Sequence, residues 1–328
     1  MVAYRGDTIC GIQLKGDRRL SRRLDQRRGL ADQGVMDYIL GFDYGGTKVD
    51  VGVAGVDGAI VDRQRLLVAD FLTLEQLMES SLAVGQALAA DKRLVAVGVS
   101  TMGITHADHV DLAPNVPGWS TLHLPAHFHA AFPDVPVVIE NDVRAACEAE
   151  RRWGSLRDVK TAAYLNLGTG IAMAFVIGGR VYPGAHGAAG EIAYLWRADE
   201  KGFRDGHAPF EEQFGGGGLD RLIQRMFAPW HTLSELFDQM ARPEVAAFLH
   251  ETFREIARRV GHILLAYDVE RVSVGGGIAL RFDVLRPIFE SEWQSHLPFP
   301  PDLVVSRFLN QAGLHGALAL AAGRGAPA

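Results

Sequence analysis

Residues 36–50 read MDYILGFDYGGTKVD, and the reading of the fold starts there. Ile39–Phe42 is a short run of branched and aromatic side chains, which predicts a buried strand. It meets Asp43-Tyr44-Gly45-Gly46-Thr47-Lys48, and a second strand-like run, Val49–Ala54, follows at once. A carboxylate at a strand end, two glycines and a hydroxyl residue make a tight turn whose bare N–H groups can face an anion. An ordinary glycine hairpin has the same letters, so the rest of the chain must decide.

With 328 residues, 48% of them hydrophobic, the chain can bury one large core or two smaller ones. Its 37 glycines and 22% charged residues fit an α/β protein better than a coiled coil or a disordered chain. A net charge of −6 gives no overall electrostatic footprint for nucleic acid. Two cysteines, Cys10 and Cys147, make a disulfide framework improbable and predict a cytoplasmic protein. No apolar run reaches the ~18 residues of a membrane span, and residues 1–35 lack the apolar segment of a secretory signal. Those 35 residues hold eight Lys/Arg against four Asp, so the remainder carries about −10. They predict a disordered basic extension or a mis-assigned start, with translation beginning at Met36.

Beyond the opening hairpin, Asp57-Gly58 marks a turn before a strand over Ile60–Ala69. Leu74–Ala89 has helical spacing, Leu94–Val99 is a buried strand, and a turn-rich loop holds Ala113-Pro114-Asn115-Val116-Pro117-Gly118-Trp119. Strand Val135–Ile139 leads through Glu140-Asn141-Asp142 into a helix over Val143–Arg152. The order argues for a mixed sheet with helices on its faces. Then the opening pattern recurs: strand Thr161–Leu167, turn Gly168-Thr169-Gly170, strand Ile171–Ile177. An internal duplication outweighs either turn alone and predicts two related halves, each presenting a backbone-lined turn to a shared cleft. Strand Arg271–Val274 runs into Gly275-Gly276-Gly277, with helices over Phe253–Tyr267 before it and Leu314–Ala322 after. No Walker A loop or dinucleotide fingerprint is present.

These residues resemble the ROK family (repressor, open reading frame, sugar kinase) over roughly residues 36–328. The motifs that carry the resemblance are Asp43-x-Gly45-Gly46-Thr47-Lys48, Ala113–Trp119, Glu140-Asn141-Asp142, Leu167–Gly170, Gly187-x-x-Gly190-Glu191-Ile192 and Gly275–Gly277, in family order. The resemblance implies an actin/hexokinase-like (ribonuclease H-like) α/β fold, duplicated, with two domains around a nucleotide and sugar cleft. Residues 36–143 with 309–328 would form the smaller domain, and residues 144–308 the larger. It implies an ATP- and Mg²⁺-dependent, glucokinase-like transfer to a hexose hydroxyl, the 6-OH. Asp142 matches the general base. Gly103, Asn115, Asn141, Glu191, Tyr194 and Glu211 fall at sugar-binding positions, with Glu212 as the alternative register for Glu211. Gly45, Gly46, Thr47, Gly168, Thr169 and Gly170 match the phosphate turns, Gly275 and Gly276 the turn near adenosine, and Asp43 the carboxylate that holds Mg²⁺ through water. Lys48 reaches phosphate or is a solvated surface lysine. For Asn141-Asp142 alone, a helix cap is the plainer reading.

The chain departs from the family at its zinc motif. Tyr194 stands where a histidine belongs, and Leu195–Phe214 has no cysteine and one histidine, His207. Structural zinc needs four N or S ligands, so no zinc is expected. His106, His109, His123, His127 and His129 have no metal spacing, and Cys147 reads as a buried small residue. Met102 and Trp119 read as packing residues near the sugar loop. The alternatives are a kinase for N-acetylmannosamine, fructose, mannose or allose, or a non-catalytic sugar-binding regulator. No DNA or membrane partner is expected, and the family implies a homodimer.

Overall fold

Asp37 opens a strand because Ile39, Leu40, Phe42 and Tyr44 all find buried surroundings, which an extended chain covered on both faces requires. The computed structural model describes residues 36–106, 110–111, 118–119 and 122–325. The first half runs β1 (Asp37–Tyr44), β2 (Lys48–Gly55), β3 (Ile60–Leu67), α1 (Leu74–Ala89) and β4 (Arg93–Thr101). A small ribbon of β5 (Ile104–Thr105) and β6 (Val110–Asp111) follows, then α2 (Leu124–Ala131), β7 (Val137–Asn141) and α3 (Asp142–Trp153). The second half runs β8 (Ala162–Leu167), β9 (Ile171–Ile177), β10 (Arg180–Tyr182), α4 (Pro209–Phe214), α5 (Gly216–Met226), α6 (Leu233–Phe237) and α7 (Pro243–Tyr267). It closes with β11 (Arg271–Gly275), α8 (Phe282–His296), β12 (Asp302–Val305) and α9 (Ala312–Gly325).

The predicted duplication is present in the sheets. One has the order β3-β2-β1-β4-β7, the other β10-β9-β8-β11-β12. In each, three consecutive strands form an antiparallel meander, and two later strands add in parallel beside the first of them. Parallel addition needs a crossover, which α1 and α2 supply in the first sheet and the helical segment from α4 to α7, then α8, in the second.

Separate cores serve the two sheets. Phe42, Tyr44, Val97, Val99, Met78 and Phe128 pack on one side of the first sheet. Phe175, Phe210, Phe253, Ile256 and Trp293 belong to the larger core of the second. Helix α9 returns to the first sheet, setting Leu314, Leu318 and Ala321 against Ile39, Ala54 and Ala96. The approach is close: a β-carbon on Gly98 would lie 1.8 Å from the Ala317 carbonyl oxygen, a distance that only glycine allows. Helix α3 packs on α9 and also on β9, so it touches both halves.

Helix boundaries differ from the sequence reading where tertiary contacts decide. α3 begins at Asp142, one residue earlier than expected, because Asn141 already supplies the cap. α7 begins at Pro243 rather than Phe253, with proline in its first turn, where a missing N–H costs nothing. Cys147 is fully buried in α3, and burial raises its thiol pKa. Among the described residues, no helix is long and apolar enough to cross a membrane.

Candidate active site

Three parallel strands end side by side in the first sheet. Their register sets Asp43 beside Ser100, Ser100 beside Glu140, and Thr101 beside Asn141. In open α/β sheets, ligands bind outside the carboxyl ends of strands, and these residues stand there. Ser100 Oγ donates to Asp43 Oδ1 at 3.0 Å. Surrounding protein crowds the Asp43 carboxyl and raises its pKa to about 7. Ser100 offsets part of that rise, Asp142 and Asp50 add to it, and Lys48 opposes it. Gly313, at the start of α9, passes so close that a β-carbon there would fall 2.2 Å from Asp43 Oδ2.

The first turn is tied by Gly45 N–H to the Lys48 carbonyl at 3.0 Å, while Gly46 and Thr47 are exposed. Lys48 Nζ lies 3.3 Å from Asp50, whose two oxygens also accept from Arg65 at 2.6 and 2.9 Å. Lys48 is thus held along the strand by an ion pair.

At the end of β7, Asn141 caps α3: its Oδ1 accepts from Val143 N at 2.9 Å and Arg144 N at 3.3 Å. Its amide donates to the Gly103 carbonyl at 3.0 Å, which leaves one amide N–H for a ligand. Asp142 accepts from Val143 N on Oδ1 at 2.9 Å. Asp142 presents an exposed surface to solvent, yet protein crowds its carboxyl and raises the pKa to about 6. Val143 N–H and Arg144 pull it down, and Glu211 pushes it up.

The second turn is built differently. Gly168 N–H donates to the Gly170 carbonyl at 3.0 Å. Gly216 N–H and Gly217 N–H, at the start of α5, donate to the carbonyls of Gly168 and Thr169 at 2.9 and 3.0 Å. Glu211 in α4 accepts from Ile171 N at 3.1 Å, and a β-carbon on Gly170 would lie 2.3 Å from its Oε2. Glu212 is exposed, bonding His207 at 3.1 Å and Ala208 N at 3.0 Å. Of the adjacent glutamates, Glu211 is therefore the inward one. Gly275 stands beside Asn166 at the end of β11, and Gly276, at φ +82°, lies against the Leu167 carbonyl.

The segment from Gly187 to Tyr194 runs from beside Arg144 to β9. The Gly190 carbonyl accepts from Met173 N at 2.9 Å, holding Glu191 next to β9. Burial raises the pKa of Glu191, with Asp142 and Glu211 adding to the rise and Arg144 opposing it. Glu211 is raised by burial too, as is the Tyr194 hydroxyl, with Glu191 and Glu211 near it. Asp43 thus feels the charge of Asp142, Asp142 that of Glu211, and Glu191 that of both Asp142 and Glu211. Such a set invites hydroxyl donors. Ser100 engages one oxygen of Asp43, and a hard carboxylate oxygen suits Mg²⁺ held beside phosphates.

Leu195–Phe214, where Tyr194 precedes a loop without cysteine, is tied by its own side chains. Arg197 N–H and the Gln213 amide both donate to Glu200. Among the described residues, no three His, Cys, Asp or Glu side chains group to hold a metal ion. Trp119 is buried, donates its indole N–H to Thr101 at 2.9 Å, and its ring lies tilted against that of Tyr44, 5.2 Å between centroids. Asn115, His109 and residues 1–35 lie outside the described residues. Ser100, Arg144, Gly313 and the Gly216–Gly217 pair are site residues that the sequence reading missed. Only the pair Ala312-Gly313 at the head of the last helical stretch could have pointed to Gly313.

Two copies of one sheet topology, with a glycine–threonine turn in each and carboxylates drawn together from both, define an actin/hexokinase-like fold. The chain belongs to the ROK family, whose model matches residues 39–324. It is 29% identical over 296 residues to an N-acetylmannosamine kinase of Escherichia fergusonii, covering 87% of this chain and 98% of that one. The ROK hexokinase of Thermus thermophilus superposes with a TM-score of 0.73 at 27% identity, covering 87% of this chain and 97% of that one. A ROK glucokinase from Streptomyces griseus, in complex with glucose and AMPPNP, shares the fold with a TM-score of 0.69 at 24% identity, over 87% and 99% of the two chains.

Proposed function

We propose that this ROK-family sugar kinase transfers the γ-phosphoryl group of ATP to a hexose hydroxyl, with Asp142 as general base and the 6-OH of glucose as first acceptor. The observation that carries the reading is the place of Asp43 and Asp142 at the carboxyl ends of β1 and β7, the parallel strands on either side of β4. Glu211 of the other half is near enough to raise the Asp142 pKa, and Asp142 near enough to raise that of Glu191. Asp142 has one oxygen committed to Val143 N and the other available for a sugar proton. A pKa near 6 leaves it ionised, and so basic, at neutral pH.

Asn115, Asn141, Glu191, Tyr194, Glu211 and the backbone of Gly103 are the proposed sugar contacts. Polyols need such polar groups, because a hydroxyl left unmatched in the site costs discrimination. Gly45, Gly46, Thr47 and Lys48 on one turn, and Gly168, Thr169 and Gly170 on the other, would hold the phosphates. Gly275 and Gly276 would lie by the adenosine. Asp43 would hold Mg²⁺ through water; the ion neutralises phosphate charge when bound. In phosphoryl transfer the protein's main tasks are positioning and charge stabilisation, and closure of the two halves would exclude water. Division at residues 143–144 and 308–309, and pairing of two copies, belong to the same reading.

A second acceptor, N-acetylmannosamine, is favoured by the Escherichia fergusonii relative. ADP release with glucose, mannose, fructose, allose, N-acetylglucosamine and N-acetylmannosamine separates the two. Saturable, Mg²⁺-dependent ADP release matched by sugar phosphate supports the kinase. ADP release that no sugar stimulates would remove it.

A further inference from the structure

Arg144 is the one arginine with its side chain almost wholly enclosed, at 2% exposure, among the described residues. It sits in the first turn of α3, where the helix dipole disfavours a cation. A guanidinium kept there against both desolvation and the dipole needs a local partner. That partner is Glu140. Arg144 Nε donates to Glu140 Oε1 at 2.9 Å, and Nη2 touches the same oxygen at 2.7 Å. The Nη2 contact lacks the alignment of a hydrogen bond, so a buried donor is left over.

The same Oε1 accepts from Asn141 N at 2.7 Å and from Thr105 Oγ1 at 3.3 Å. It therefore joins the backbone just before Asp142 to the β5 ribbon. On the other side, a β-carbon on Gly187 would come within 3.9 Å of Arg144 Nη2 and 3.6 Å of the Thr105 carbonyl. Gly187 opens the segment that carries Glu191. Arg144 thus stands where the Asn141–Asp142 turn of one half meets the Gly187–Glu191 segment of the other.

We infer that Arg144 is a positioning residue for phosphoryl transfer: through Glu140 it fixes the Asn141–Asp142 turn and packs the Gly187–Glu191 segment against it. The inference rests on Asp142 being the general base. Its charge also favours the ionised forms of Asp142 and Glu191. A misplacement of the base by about 1 Å can cost about 100-fold in rate, so the effect falls on kcat rather than on nucleotide binding.

The test uses full-length Arg144→Gln, Arg144→Lys, Glu140→Gln and the Arg144→Gln/Glu140→Gln double variant. Arg144→Gln should lower kcat about 10- to 100-fold with KM for ATP unchanged. Arg144→Lys should recover part of the loss, and the double variant should be no worse than the worse single. Hydrogen exchange should quicken at Asn141 and across 187–191 in Arg144→Gln. Wild-type kcat and exchange in that variant, or additive losses in the double, would overturn the inference. If Arg144→Gln does not fold, Glu140→Gln decides by the same criteria. A wild-type protein that phosphorylates no sugar would defeat the kinase reading instead, and the exchange measurements would still judge Arg144.

Discussion

The two glycine–threonine turns share a backbone plan and differ in where their chemistry comes from. The turn at Gly45–Thr47 stands beside its own acid: Asp43 ends the strand that enters it and is steadied by Ser100. The turn at Gly168–Gly170 has no acid in its strand. It borrows Glu211 from α4 and backbone support from Gly216 and Gly217 at the start of α5. One topology used twice therefore yields a charge-bearing jaw and a jaw whose carboxylate arrives from elsewhere. On the proposed reading, the first would act on a metal and the second on the acceptor.

The comparison breaks most sharply at Asp142. Asp142→Asn should lower kcat by about 10²- to 10⁴-fold, the usual worth of a general base, while circular dichroism and sugar binding stay near wild type. Near-normal turnover in that variant would place the base elsewhere. The pH dependence of kcat/KM comes next. A base that must be ionised, with its pKa raised to about 6, gives an acidic limb falling about tenfold per pH unit below that value. A limb near pH 4 would mean that Asp142 is not held as described.

The borrowed acid gives a smaller effect. Glu211→Gln should raise KM for the sugar about tenfold, whereas the exposed Glu212→Gln should leave it unchanged. Reversal of that order would overturn the placement of the pair. The smallest effect is on stability. The Asp43 pKa is about 7 in the folded protein against 3.8 when free, so the native state binds the extra proton between those values. Stability contributed by that proton is lost as pH rises from about 4 through about 7. Asp43→Asn should therefore melt a few degrees higher than wild type at pH 8 without nucleotide or metal, and show little gain at pH 4.

Both turns were legible because each is written in consecutive letters, strand–glycine–threonine–strand, and their repetition exposed the duplication. The pairing of Asp142 with a helix start was legible for the same local reason. What the letters hid depends on contacts across the chain. Ser100 meets Asp43 only through the β1–β4 register. Gly215–Gly218 look like turn formers, yet Gly216–Gly218 begin α5, and at Gly216 the Gly168 carbonyl leaves no room for a side chain. The inward choice of Glu211 over Glu212 needed the fold of α4, and no letter near Arg144 marks it as buried.

Whether both jaws close on one nucleotide is the central claim, and titration of AMPPNP with Mg²⁺ tests it most directly. Thr47 and Thr169 are both exposed hydroxyls, so replacing them disturbs no core. Thr47→Ala and Thr169→Ala should each weaken AMPPNP about 5- to 10-fold, the worth of one hydrogen bond, and the double variant should lose more than either. Unchanged affinity in Thr169→Ala would contradict the shared clamp and leave the second turn a structural echo of the first.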